Sequence, residues 1–249
     1  MSIQNEILSA SEKGDFDTVK QMATEFNVNS KGFDGNAPIH WAVFYDRVDV
    51  VKHLISQGAD INIKDMTGRT ALLCAVDTNN TAIAQELLKS GANPDLAAVN
   101  ENYPLQQAAK NNNYKIAQYL LEHNANVNSI DSLGLTPLHY AITKGNINLC
   151  NDFLARGANI NAQSTLGMTP LHYAVQKNQE EIAIMLVENK ANTQLKNVNG
   201  ILPLDISNNS ASCSAKDKLI DIQINALNYH LRKKREHLKE VNSSNSKSL

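Results

Sequence analysis

The segment Thr136-Pro137-Leu138-His139-Tyr140-Ala141 returns 33 residues later as Thr169-Pro170-Leu171-His172-Tyr173-Ala174. Stepping the same register backwards gives Tyr103-Pro104-Leu105-Gln106-Gln107-Ala108, then Thr70-Ala71-Leu72-Leu73-Cys74-Ala75, then Ala37-Pro38-Ile39-His40-Trp41-Ala42. One step forward gives Leu202-Pro203-Leu204-Asp205-Ile206-Ser207. A second signature keeps the period: Gly58-Ala59-Asp60-Ile61-Asn62, Gly91-Ala92-Asn93, Asn124-Ala125-Asn126-Val127-Asn128 and Gly157-Ala158-Asn159-Ile160-Asn161. Two motifs locked to one period, with no insertion between copies, restrict the chain to a stack of like units that each touch only their neighbours.

Each unit can be read physically. Thr136 is a good N-cap, because its hydroxyl accepts from a free amide of the first turn, and Pro137 takes the first helical position, where a missing N–H costs nothing. Leu138, Ala141 and Ile142 then form a short apolar stripe at helical spacing. Gly145 ends that helix in the left-handed conformation. A second helix places Ile147, Cys150, Phe153 and Leu154 on one face and stops at Gly157. Asp131-Ser132-Leu133-Gly134 reads as a tight turn before the next unit. Two short helices cannot bury their apolar faces alone, so neighbours must stack. The small Ala42, Ala75, Ala108, Ala141 and Ala174 permit close approach.

These motifs resemble the ankyrin repeat, whose 33-residue unit carries T-P-L-H-x-A. The resemblance covers residues 1–224, as about seven repeats starting near 1, 32, 65, 98, 131, 164 and 197. It implies an all-α solenoid of helix pairs with short projecting β-hairpin-like loops, followed by a C-terminal capping helix within 225–249. Gly14-Asp15-Phe16-Asp17-Thr18-Val19-Lys20 matches Asp46 to Lys52 at a shift of 32 and marks the first repeat, whose polar Gln4, Asn5 and Glu6 suit a cap facing water. Repeats three and four depart most from the motif. Ala71 and Leu73 replace its Pro and His, Tyr103 replaces Thr, and Glu101 stands in place of the turn glycine.

Composition sets the outer bounds. With 42% hydrophobic and 19% charged residues and a net charge of -2, the chain is too apolar and too weakly charged for a disordered one. That balance also disfavours wrapping nucleic acid, which needs clustered Lys and Arg. The longest apolar run, Ile182 to Val187, is far short of the roughly 20 residues a membrane span requires. The N-terminus lacks a basic head with an apolar core. A soluble chain, unexported by the ordinary route, is expected. Cys74, Cys150 and Cys213 are odd in number and widely spaced, as for free thiols in a reducing compartment.

Nothing in the sequence supports catalysis. H-E-x-x-H, GxxxxGK[ST] and G-x-S-x-G are all absent. The recurring His40, His139 and His172 fall in successive layers about 8–10 Å apart, too far to share a zinc ion with ligand bonds of about 2 Å. The resemblance implies a structural hydrogen-bonding role for them near the loop base. The Asp and Asn residues of the second signature lack calcium-loop spacing and suit loop hydrogen bonding. No cofactor or metal is expected.

Asn208 to Ser214 interrupts the pattern, and a helical stripe follows at Ile220, Ile224, Leu227, Leu231, Leu238 and Val241. Arg232-Lys233-Lys234-Arg235 is the one basic cluster. A solvated face near the end of a capping helix explains it. The alternative is an effector-type or nuclear adaptor that uses this helix for a nucleic-acid, membrane or acidic partner.

The resemblance implies a non-enzymatic module that binds a protein partner through its concave face and loop tips. The protein is expected to be a monomer in the cytoplasm, with the nucleus or a host cell as the alternative compartments. Aligned on the motif, the contact positions are Phe33, Asp34, Asn36, Trp41, Phe44 and Tyr45 in repeat two. In repeat three they are Met66, Thr67, Arg69, Asp77 and Thr78, and in repeat four Asn100, Asn102, Lys110 and Asn111. Leu133, Leu135, Leu166 and Met168 form a reserve set of apolar loop tips.

Overall fold

A computed structural model of the protein describes residues 3–24 and 27–206. The expected capping stripe and the basic cluster Arg232 to Arg235 lie outside the described residues. The chain forms two compact units that divide between Asn159 and Ile160. In the first, helices come in pairs: α1 (Ile3–Glu12) with α2 (Phe16–Met22), α3 (Pro38–Phe44) with α4 (Val48–Ser56), and α5 (Ala71–Asp77) with α6 (Thr81–Lys89). Then follow α7 (Pro104–Lys110) with α8 (Tyr114–Glu122), and α9 (Pro137–Thr143) with α10 (Ile147–Ala155). The second unit holds α11 (Pro170–Gln176), α12 (Glu180–Glu188) and one 3-10 turn, Pro203–Asp205. In the first unit, the leading helices α1, α3, α5, α7 and α9 stack in order, and α2, α4, α6 and α8 stack behind them. The helical class and the paired-helix repeat agree with the expectation.

Three backbone positions per repeat take a left-handed conformation, and their spacing fixes the fold. Within a helix pair they are Gly14, Asp46, Asn79, Asn112, Gly145 and Asn178; after it, Gly58, Gly91, Asn124, Gly157 and Lys190; in the loop turn, Gly35, Gly68, Glu101, Gly134, Gly167 and Gly200. Asp and Asn tolerate positive φ better than other side chains, which explains their use between the helices. Each loop closes as a hairpin turn with the same hydrogen bond, Asp65 N–H to Arg69 O (2.9 Å) and its counterparts from Ala98 to Asn102, Asp131 to Leu135, and Ser164 to Met168. One isolated antiparallel bridge, Lys64 to Thr70, is the only β pairing among the described residues.

The abundant asparagines lace neighbouring repeats together. Asn80 Oδ1 caps α6 at Ile83 N–H (3.1 Å), while its Nδ2 donates to Asp46 of the preceding repeat. Asn113 and Asn146 repeat both contacts, onto Asn79 and Asn112. A second ladder runs through the other signature. Asn29 Oδ1 accepts from Asp60 N–H (2.8 Å), Asn62 from Asn93 (2.9 Å), Asp95 from Asn126 (2.9 Å) and Asn128 from Asn159 (2.7 Å). In the second unit Asn161 accepts from Asn192 (2.7 Å). The expectation that these side chains serve loop hydrogen bonding is met.

The histidines act as the resemblance implied. His40 Nδ1 accepts the Ala37 N–H at 3.1 Å, so its Nε2 carries the proton and donates to Arg69 O (3.2 Å) in the next repeat. His172 does the same with Thr169 N–H (3.0 Å) and Ile201 O (3.1 Å). In repeat four Gln106 substitutes, donating through Nε2 to Ser129 O (3.0 Å) and Leu135 O (2.7 Å). Burial lowers the pKa of both His40 and His172, and the backbone hydrogen bond of each opposes the shift.

Two expectations are corrected. On α10 the buried residues are Leu149, Cys150 and Phe153, whereas Ile147 and Leu154 are only half-buried. The face turned to the core is thus centred one residue from the expected stripe, because positions i, i+1 and i+4 cover both the partner helix and the stack. Met168, expected at a loop tip, is buried and takes an Asn197 amide contact on its sulfur.

Candidate functional site

The loop tips project in register, and their spacing leaves a row of apolar side chains in solvent. Phe33 is fully exposed, Met66 is 70% exposed and Val99 78%, each 33 residues from the last. Sequence reading nominated the first two and missed Val99, although the period itself pointed to it. The row is held by backbone pairing between loops: Met66 N–H donates to Asp34 O (3.2 Å), and Val99 N–H to Thr67 O (2.9 Å). Close approach requires glycine behind each tip. A Cβ on Gly35 would sit 2.5 Å from Met66 N, and one on Gly68 2.9 Å from Val99 N. Glu101 occupies the corresponding place in the next loop, and among the described residues no such bond joins that loop to the following one. The ladder therefore breaks after repeat four, and within the second unit the same bond is made again, from Val198 N–H to Leu166 O (3.0 Å).

Behind the tips lies the aromatic group of repeat two. Trp41 and Phe44 are one turn apart on α3, and their rings meet edge to face at 5.9 Å. Phe44 is 67% exposed, since it is the last helical residue before Tyr45 turns the chain. Tyr45 does a different job. Its hydroxyl donates to Glu12 O (2.9 Å), and its ring meets Phe16 edge to face at 5.7 Å, which ties repeat two to repeat one. Arg47 lies over the Phe16 ring at 4.8 Å and pairs with Asp49, so it also belongs to that junction. Trp41 is half-buried, and its indole N–H is sealed from water with no acceptor, an arrangement that costs about 1–3 kcal/mol.

Two recesses flank this group and share a wall. The smaller, about 100 Å³, is lined by Asn36, Trp41, Phe44, Arg69, Asp77 and Thr78, with Cys74 at its base. The wider, about 530 Å³, is lined by Thr67, Arg69, Asp77, Val99, Asn100 and Asn102. A third, about 410 Å³, opens beside Phe33 between Glu12 and Lys31. The first two recesses thus gather nine of the expected residues, together with Val99, along a groove between the loop tips and the leading helices of repeats two to four, while Phe33 lines the separate third recess. Asp34 and Met66 mark its rim. Lys110 stands exposed beyond it, and Asn111 is absorbed structurally, donating to Val76 O (3.0 Å) across the α5–α7 junction. Of the reserve set, Leu133 and Leu166 are exposed and Leu135 is half-buried.

The electrostatics of the groove centre on Arg69 and Asp77. Arg69 donates from Nε to Asp65 Oδ2 (3.0 Å), and the buried Asp65 also accepts from Thr67 N–H (2.8 Å), the Thr67 hydroxyl (2.7 Å) and Arg69 N–H (2.9 Å). Asp77 is half-buried, and burial pushes its carboxyl up, opposed by the charges of Arg69 and Lys110. Among the described residues no hydrogen bond or ion pair reaches its carboxylate. Burial holds the Cys74 thiol neutral, pushed up to about 12, a state unsuited to nucleophilic chemistry. No group of three or more His, Cys, Asp or Glu among the described residues is arranged to hold a metal. No described helix is long and apolar enough to cross a membrane.

Comparison with known proteins agrees with the geometry. Residues 7–98 and 93–164 match ankyrin repeats (3 copies), and residues 154–207 match ankyrin repeats (many copies). The crystal structure of the ankyrin repeat domain of Bcl-3, a unique member of the IkappaB protein family, is similar with a TM-score of 0.73 at 25% sequence identity. The likeness covers 88% of this chain and 97% of that domain. The matched segments span most of the sequence, and on that ground the chain belongs to the ankyrin repeat family.

Proposed function

We propose that the protein is a non-enzymatic binding module that docks a protein partner in the groove of repeats two to four. The observation that carries this reading is a row of exposed apolar side chains beside the two adjoining recesses. Phe33, Met66 and Val99 stand in a row in solvent, and Phe44 faces the same groove from the helix side. A monomeric surface that leaves large apolar groups together in this way marks an interaction site. The support is rigid. Backbone bonds fix the loops to one another, and buried caps fix the helices, so little ordering is required on docking. Aromatic groups with a nearby Arg are common interface anchors, and here Trp41, Phe44 and Arg69 line one recess.

The experiment is affinity capture from lysate with the full chain, followed by titration of the identified partner against a Phe44→Ala, Met66→Ala double variant. Both side chains are exposed, so the melting temperature is expected to hold while Kd rises by roughly 30-fold, the equivalent of about 2 kcal/mol. A partner that binds the variant as tightly as the parent would move the interface away from this groove. Tyr45 is kept intact in this design because of its bond to Glu12.

A further inference from the structure

We propose that the recess between Phe44 and Asp77 receives a lysine or arginine side chain of the docked partner segment. This rests on the reading of the groove as the binding face and adds the chemistry of its occupant. The recess is small, about 100 Å³, and its walls include both Trp41 and Phe44 and the acidic Asp77. Ring faces and a carboxylate both attract a cation, the first through the negative face of the π system, the second by charge.

The other ionisable groups leave the site one charge short of balance. Arg69 is the only cation in the wall, and its Nε is already engaged by the buried carboxylate of Asp65. Asp77 is thus left half-buried with no donor of its own. His40, also in the wall, is neutral because its Nδ1 accepts a backbone hydrogen bond and burial depresses its pKa. Cys74 carries no charge, since burial pushes its thiol up to about 12. Arg69 and Lys110 act on Asp77 only through their charges, Lys110 from an exposed position. An acidic occupant would face the Asp77 carboxylate, and an aliphatic one would leave that carboxylate buried and unpaired, a costly arrangement. A cationic head with an apolar stem satisfies both groups, because lysine and arginine stems lie along apolar surface while the charge seeks its partner.

The probe is a random dodecapeptide display library panned on the full chain. Binding of selected synthetic peptides is then followed by the emission of Trp41, the chain's single tryptophan. Selected peptides are expected to share one Lys or Arg beside apolar residues. Replacing that residue by Gln, or changing Asp77→Asn, should each weaken binding tenfold or more, and the two changes together should cost little more than either one. Phe44→Leu, which keeps apolar volume but removes the ring, should weaken the basic peptide and spare its Gln version. Circular dichroism of each variant checks that the fold persists.

Peptides that need Phe44 but tolerate both the loss of their basic residue and Asp77→Asn would overturn the cation site and leave the groove standing. Peptides indifferent to Phe44, Met66 and Asp77 alike, or a library that yields no binder, would overturn the groove reading and this proposal with it.

Discussion

Two glycines offer a matched test of the loop ladder. Gly58 and Gly68 both have left-handed φ, +86 and +78, but a Cβ on Gly58 meets nothing within 4 Å, whereas one on Gly68 lands 2.9 Å from Val99 N and 3.1 Å from Val99 Cγ2. Gly58→Ala therefore bears only the conformational penalty of an L residue in that region, about 1–2 kcal/mol. Gly68→Ala bears the same penalty and must also push the repeat-four tip away, losing the Val99 N–H to Thr67 O bond. A net hydrogen bond contributes about 1 kcal/mol, so its total should reach about 2–3 kcal/mol before any packing loss. In a chain of this length each kcal/mol moves the melting temperature by roughly 2–4 °C, and the two variants should separate by at least that much in thermal and urea unfolding. Hydrogen exchange gives a local readout: the Val99 amide should lose protection in Gly68→Ala and keep it in Gly58→Ala. Equal destabilisation, with Val99 protected in both, would refute the claim that contact between loops, and not φ alone, holds glycine at that position.

Acid should weaken the fold below about pH 6.5. His40 and His172 titrate lower in the folded state than their ordinary 6.5, so the unfolded chain binds protons first and stability present above pH 6.5 drains away as pH falls toward the depressed values. The urea midpoint at pH 5.5 should lie below that at pH 7.5, and His40→Gln, which copies the Gln106 arrangement, should flatten the difference; equal midpoints in the parent would refute this. Asp77 runs the other way. Its pKa is raised from 3.8, so its contribution is full below pH 3.8 and is lost as pH rises through the folded value. Asp77→Asn should consequently raise the melting temperature at pH 7 and lose that advantage in strong acid, and a lower melting temperature at pH 7 would contradict the unpaired state of the carboxylate.

Much of the fold was legible because it depends on local chemistry at fixed spacing. Pro137 and Pro170 open their helices as the motif predicts, and Thr70 and Thr169 cap theirs through the hydroxyl, the role read for the equivalent Thr136. Glu101 shows the limit of such reading. The sequence marks the missing glycine, but that its turn still adopts φ +56, and that the loop ladder is interrupted there, depends on a neighbour that no local rule supplies. The buried face of α10 was read one residue off for a related reason, since nine residues cannot separate a face centred on Leu149 from one centred on Cys150 until both neighbours are in place. At the candidate site the exposed tips follow from register alone. The shared wall of Arg69 and Asp77 does not, because it joins a loop base to the far end of the same repeat's first helix and closes only against Trp41 of the repeat before.

The asparagine rungs also bear on how a chain like this can change in length. Each rung joins an acceptor in one repeat to a donor in the next, and donors and acceptors are chemically alike from copy to copy. Excision of 33 residues from within the first unit, such as 80–112, would bring Asn113 opposite Asp46 where Asn80 now stands, and every rung could reclose. Loss of one or two residues would instead leave each rung amide facing the wrong atom and shift an apolar face. Such a gene is free to expand or contract by whole repeats, so related chains should differ in copy number more readily than in the length of any single copy.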